Sequence, residues 1–233
     1  INAGCGATHP ESLVERVVAS GAYAGIAFDG DVDRLIMVDE TGRVVDGDQL
    51  IALIATDWHR AGRLRGGGVA ATVMSNLGLE RHLSGLGLHL ERTKVGDRHV
   101  VQAMRDGGYN LGGEQSGHLV MLEATTTGDG LMAALEVLRI ARADGRPFSM
   151  VSSVFDPVPQ KLVNVRYDGA DPLEAGPVQA AIVAASRRLG ETGRVFVRKS
   201  GTEPLIRVMA EATDPAALDT ALHEVVTAIE AVR

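Results

Sequence analysis

The chain has 233 residues, 45% hydrophobic and 23% charged, with a formal net charge of −7 and no dense block of Lys and Arg. It can fill one large domain or two smaller ones, and its acidic balance argues against a nucleic-acid binder while leaving room for a local basic pocket that takes an anion. The single cysteine, Cys5, rules out an internal disulfide and suits a reducing cytoplasm. With no signal-peptide pattern and no apolar run of about 18 residues, neither export nor membrane insertion is expected.

Residues 1–10 read as a small-residue loop ending in His9-Pro10. Leu13, Val14, Val17 and Val18 then have helical spacing over 11–20, with Gly21 placed to end the helix. Apolar runs at 23–28 and 35–38 read as two buried strands around an acidic loop, with a short continuation at Val44-Val45. A helix through Leu50, Ile51, Leu53 and Ile54 follows, with Asp48 as its expected N-cap. Strands are then expected at 68–74, 88–93 and 119–122, and helices at 78–86, 100–106 and 129–143. This alternation predicts a mixed, mainly parallel α/β sheet with flanking helices.

Pro147, Pro157 and Pro159 mark a break, and Pro157-Val158-Pro159 reads as an extended linker. The remainder reads β–α–β–α, a smaller α+β domain with strands at 161–167, 195–197 and 205–210 and helices at 177–189 and 215–232. The domain boundaries expected are 1–46, 47–154 and 155–233.

Three loops carry candidate chemistry. Asp29, Asp31 and Asp33 alternate in Asp29-Gly30-Asp31-Val32-Asp33-Arg34. Three carboxylates so close repel, and an all-oxygen set without His or Cys favours Mg²⁺ or Ca²⁺ over zinc. A solvated acidic turn is the plain alternative. An EF-hand is rejected, because Arg34 stands where that loop needs Gly and the flanks read as strands. Gly113-Glu114-Gln115-Ser116-Gly117-His118 offers an acceptor, a hydroxyl and an imidazole for sugar hydroxyls, or else is a polar surface loop. Arg198-Lys199-Ser200-Gly201-Thr202-Glu203-Pro204 combines cations, hydroxyls and a flexible Gly, which suits a phosphate cradle as well as a basic hairpin turn. It lacks the P-loop pattern.

Together these segments resemble the magnesium, sugar-recognition and phosphate-binding loops of the α-D-phosphohexomutase family, in the family's order. The resemblance runs from Ile1 to the C-terminus, and the opening Ile1-Asn2…Cys5-Gly6-Ala7-Thr8 combined with the 112–118 and 198–204 segments points to the family's phosphoglucosamine branch. It implies that Asp29, Asp31 and Asp33 hold Mg²⁺ and that Arg34, Lys94 and Arg98 act near the reacting groups. It further implies that Glu114, Ser116 and His118 read the sugar, and that Arg198, Ser200, Gly201, Thr202 and Arg207 bind phosphate. Thr125-Thr126-Thr127-Gly128-Asp129 is also familiar from these enzymes and is read as a capped helix start without chemistry. Val32 departs from the Gly or Ala expected of the family, and a β-branched residue there is costly if φ is positive.

In the intact family a phosphoserine donates its phosphoryl group to give a bisphosphorylated sugar, and the resemblance to the phosphoglucosamine branch implies that the full-length protein interconverts glucosamine 6-phosphate and glucosamine 1-phosphate. The serine loop of that mechanism has no counterpart here, and the first residue is Ile. The expectation is therefore the later portion of a mutase, its N-terminal half missing, alone inactive, taking a hexosamine phosphate and compatible with a homodimer. The alternatives are a non-catalytic metal- and phosphosugar-binding fragment, or a mutase preferring mannose or glucose phosphates. A Mg²⁺ phosphatase using Asp29 as nucleophile is a more distant alternative.

Overall fold

The computed structural model describes residues 3–168, 171–201 and 203–232. The chain divides into two compact units, Ile1–Asp156 and Pro157–Arg233, each with its own apolar core.

In the first unit, α1 (Glu11–Ser20) precedes an antiparallel sheet of β1 (Ala24–Phe28), β2 (Leu35–Asp39) and β3 (Val44–Val45). Gly21 ends α1 in the left-handed conformation that Gly adopts at little cost. Of the two strands expected to be buried, β2 is buried throughout, whereas β1 alternates and is only partly covered. It lies at the edge of its sheet.

Next come α2 (Gly47–Arg60), β4 (Gly68–Thr72), α3 (Leu77–Gly85), β5 (His89–Thr93) and α4 (Asp97–Gly107). They are followed by β6 (Leu111–Gly113), β7 (Leu119–Met121), α5 (Gly130–Asp144) and the short α6 (Phe148–Val151). The sheet order is β5-β4-β6-β7, with β4 parallel to both β5 and β6, and β7 antiparallel to β6. The expected mixed, mainly parallel sheet with flanking helices is thus present.

Two local expectations change. Asp46, not Asp48, caps α2: its carboxylate accepts from the Gln49 amide at 3.1 Å. The strand expected to reach Met74 ends at Thr72, because the Ser75 amide turns back to the Thr72 carbonyl.

The second unit holds β8 (Gln160–Arg166), α7 (Gly176–Leu189), β9 (Gly193–Lys199), β10 (Leu205–Ala212) and α8 (Pro215–Glu230). Its sheet is antiparallel in the order β8-β10-β9. Both helices pack on it through a core of Val165, Val178, Ile206, Val208, Leu218 and Val225. Among the described residues no helix is long and apolar enough to cross a membrane.

Candidate active site

Phe28 pairs with Leu35 across the β1–β2 ladder, so residues 29–34 form a tight loop at the strand ends. One carboxylate oxygen each from Asp29, Asp31 and Asp33 lies within 4.8 Å of the others. The Arg34 amide donates to Asp29 Oδ1 at 3.1 Å, and its guanidinium Nε stands 3.7 Å from Asp29 Oδ2 and 4.0 Å from Asp33 Oδ1. Asp33 Oδ1 is shielded from solvent without a hydrogen-bond donor.

Burial and the hydrogen-bonded Asp29 carboxylate push the Asp33 pKa up. Burial alone would raise Asp29 as well, but the Arg34 amide and the bond from Asp33 bring it below the usual carboxylate range. These opposite shifts are those of two neighbouring carboxylates whose titrations are linked. A divalent cation relieves the same repulsion, and an all-oxygen donor set fits a hard ion such as Mg²⁺.

Val32 has φ +62°, and among the described residues it is the one non-glycine with positive φ. The cost anticipated for a β-branched residue is therefore present. The conformation is held from both ends: the Val32 amide donates to the Asp29 carbonyl at 3.2 Å, and the Gly130 amide at the start of α5 donates to the Val32 carbonyl at 2.8 Å. Because the side chain is 39% exposed, packing recovers little. Val32→Gly is expected to stabilise the first unit by about 1 kcal/mol, the left-handed penalty less the entropy glycine adds to the unfolded chain. A denaturant midpoint at or below wild type would contradict this.

His118 is buried, and its Nδ1 donates to Asp33 Oδ2 at 3.1 Å. The imidazole therefore sits behind the acidic loop, on a residue that is bridged to Arg34. A Cβ on Gly128 would lie 2.4 Å from the His118 ring, and one on Gly130 would lie 2.9 Å from the Arg34 carbonyl. The Thr-Thr-Thr-Gly-Asp segment, read from sequence as a capped helix start alone, thus also backs both loops. Asp129 does cap α5, accepting from the Met132 amide at 2.9 Å.

The 113–118 loop follows β6, and the Lys94–Gly96 turn follows β5 and leads into Arg98 on the first turn of α4, so both lie at the carboxyl edge of the parallel strands, where open α/β sheets bind ligands. Glu114 joins them: its Oε1 accepts from the Gly96 amide at 3.0 Å and its Oε2 from Ser116 Oγ at 3.2 Å. Lys94, Arg98 and Ser116 are exposed at this edge, and Glu114 is half-buried.

The first turn of α2 supports the loop from below. Gly47 donates its amide to the Gln115 carbonyl at 2.9 Å, and a Cβ at Gly47 would fall 2.1 Å from the Glu114 carbonyl oxygen. One residue on, Asp48 is fully buried and accepts from the Asn76 amide at 2.7 Å. Burial, with the Asp46 charge adding to it, raises its pKa to about 7.

A carboxylate raised in the folded state favours folding only while protonated. Its contribution is intact below the unfolded value of 3.8 and is lost as pH rises through about 7. Asp48→Asn is therefore expected to be more stable than wild type at pH 8 by a few kcal/mol, since each tenfold change in proton affinity carries about 1.4 kcal/mol. The gain should vanish near pH 4, about where the unfolded carboxyl titrates. Urea unfolding at the two pH values measures this, and a pH-independent difference would sink it.

In the second unit, Arg198 on β9 and Arg207 on β10 are directly opposed across the ladder. Burial and the Arg207 charge push the Arg198 pKa down. The connecting turn is closed by the Ser200 amide on the Leu205 carbonyl and the Leu205 amide on the Glu203 carbonyl, both at 2.8 Å. Ser200 is half-buried and Gly201 exposed. Thr202 lies outside the described residues.

Residues 46–158 match the model of phosphoglucomutase/phosphomannomutase alpha/beta/alpha domain III, and residues 162–228 match the phosphoglucomutase/phosphomannomutase C-terminal domain. The chain is 56% identical over 233 residues to a phosphoglucosamine mutase of Mesorhizobium japonicum, covering 100% of this chain and 52% of that protein. It is 58% identical over 232 residues to a phosphoglucosamine mutase of a Ruegeria species, covering 99% of this chain and 52% of that one. The chain thus spans about half the length of these curated relatives.

Among solved structures, Aspergillus fumigatus N-acetylphosphoglucosamine mutase in complex with GlcNAc-6P and magnesium superposes with a TM-score of 0.77 at 24% identity, over 98% of this chain and 57% of that one. A Burkholderia thailandensis phosphoglucomutase/phosphomannomutase family protein gives 0.78 at 23% identity, over 97% and 51%. These likenesses carry the fold. With both domain models matched in order and relatives above half identity along its whole length, the chain belongs to the phosphoglucomutase/phosphomannomutase family.

Proposed function

We propose that this chain is the metal-, sugar- and phosphate-binding portion of a cytoplasmic phosphoglucosamine mutase that interconverts glucosamine 6-phosphate and glucosamine 1-phosphate. The observation that carries the reading is the 3.1 Å bond from His118 to Asp33, which ties the recognition loop to the acidic loop. Residues 1–46 are taken as the end of a second domain, 47–154 as a third and 155–233 as a fourth.

In this reading Asp29, Asp31 and Asp33 hold Mg²⁺, and a bound magnesium ion offsets charge on the phosphoryl group in transfer. Arg34 lies between two of those carboxylates and its guanidinium is partly exposed, so it can reach an equatorial phosphoryl oxygen. Glu114 and Ser116 accept and donate to sugar hydroxyls, with Lys94 and Arg98 on the neighbouring turn. Arg198, Ser200, Gly201, Thr202 and Arg207 grip the phosphate that is not reacting. A phosphoserine supplied by a further part of the protein would donate the group, and a homodimer is compatible with this reading.

The testing experiment assays the parent protein on glucosamine and mannose phosphates while the 233-residue chain is titrated with Mg²⁺ and glucosamine 6-phosphate. The expected result is turnover by the parent, preferring glucosamine phosphate, with binding but no turnover by the shorter chain. Turnover by the shorter chain alone, or no turnover by the parent, would overturn the assignment.

A further inference from the structure

The Arg198–Arg207 pair poses a charge problem. Directly opposed residues of an antiparallel ladder carry Cβ atoms about 5 Å apart on one face, and like charges so placed repel. Among the described residues one acid answers them: Glu203, whose Oε2 stands 3.8 Å from Arg207 Nη2. No ion pair is formed by Arg198 there, and Arg207 Nε is shielded from solvent without an acceptor. The other acid on this face of β10, Glu211, is taken up by Arg194.

Glu203 belongs to the turn yet is not fixed in it. Its backbone carbonyl is anchored by the Leu205 amide, but its carboxylate is 51% exposed and reaches Arg207 only at long range. A side chain in that position neutralises the pair loosely and can swing out. We infer that Glu203 is a resident counter-ion of the phosphate cradle, loosely paired with Arg207 until an arriving phosphate displaces it, and so a determinant of affinity for anionic ligands.

Displacement has a thermodynamic signature. The incoming group must out-compete a carboxylate, so the apparent affinity of every anion that displaces it is lowered by one common factor. Removing the carboxylate should therefore tighten all such anions alike. The exposed pair is of the kind whose coupling is modest, which sets the expected tightening at about threefold to fivefold.

This rests on the reading of residues 198–204 as a phosphate cradle, and the experiment separates the two. The intact chain is titrated with inorganic phosphate and with glucosamine 6-phosphate by calorimetry, at low salt, below and above the second phosphate pKa. Arg198→Ala abolishing binding in wild type supports the cradle; unchanged binding refutes the cradle itself. Against a binding wild type, Glu203→Gln should tighten both ligands by about threefold to fivefold, by the same factor on either side of that pKa. Asp171→Asn, which frees Lys199 from its 2.9 Å pair in the same unit, should tighten them by less. Equal or weaker binding by Glu203→Gln, or equal tightening by Asp171→Asn, would overturn the counter-ion role while leaving the cradle standing.

Discussion

Gly117→Ala is expected to cost the first unit about 2–5 kcal/mol, combining a backbone penalty with overpacking. Gly117 has φ +97°, and a Cβ there would fall 2.2 Å from the Leu35 carbonyl oxygen, with the rest of that peptide close behind. The Leu35 amide also donates to the Gly117 carbonyl at 2.9 Å. The loop and β2 must part for alanine to enter, and β2 begins at Leu35, immediately after the acidic loop. A urea midpoint falling sharply in Gly117→Ala, but staying within about 0.5 kcal/mol of wild type in the exposed Ser116→Ala, is the expected pattern. Equal stability of the two variants would refute the close approach.

His118→Ala carries the second large effect, on metal affinity. The imidazole orients Asp33 by donating to Oδ2 at 3.1 Å, and groups that orient a metal ligand typically contribute about 10–100-fold to affinity. Mg²⁺ binding to the intact chain should weaken by about that factor, with partial recovery in His118→Asn, which restores a donor. Folding is checked on the same samples by circular dichroism. A folded His118→Ala that binds Mg²⁺ as wild type does would show that Asp33 needs no such support.

The acidic loop and the candidate segments at 113–118 and 198–204 could be singled out in sequence, because the residues proposed for each lie within six or seven consecutive positions. The strain at Val32 was legible too, since it depends on one residue type meeting one backbone region. The alternation of helices and strands gave the sheet, including its mainly parallel character. The sequence pointed to Asp48 as the cap of α2 where Asp46 performs that role, because both precede the same apolar helix and only the tertiary bond from the Asn76 amide draws Asp48 inward. The support beneath the loops was hidden for a different reason. Gly47, Gly117, Gly128 and Gly130 look in sequence like points of freedom, whereas in the fold each is a point of near-contact with another segment. Proximity between residues 47 and 114, or 118 and 128, leaves no local pattern to read.

The seating of the recognition loop on Gly47 bears on how such a protein can diversify. The Gly47 amide and its missing side chain meet main-chain oxygens of residues 114 and 115, so the loop is registered by peptide groups that every amino acid shares. Ser116 projects from that frame into solvent. Exchanging the exposed side chain at 116 therefore rewrites what the loop presents without shifting where it stands. The chemistry of that surface can drift by single substitutions while the scaffold holds still.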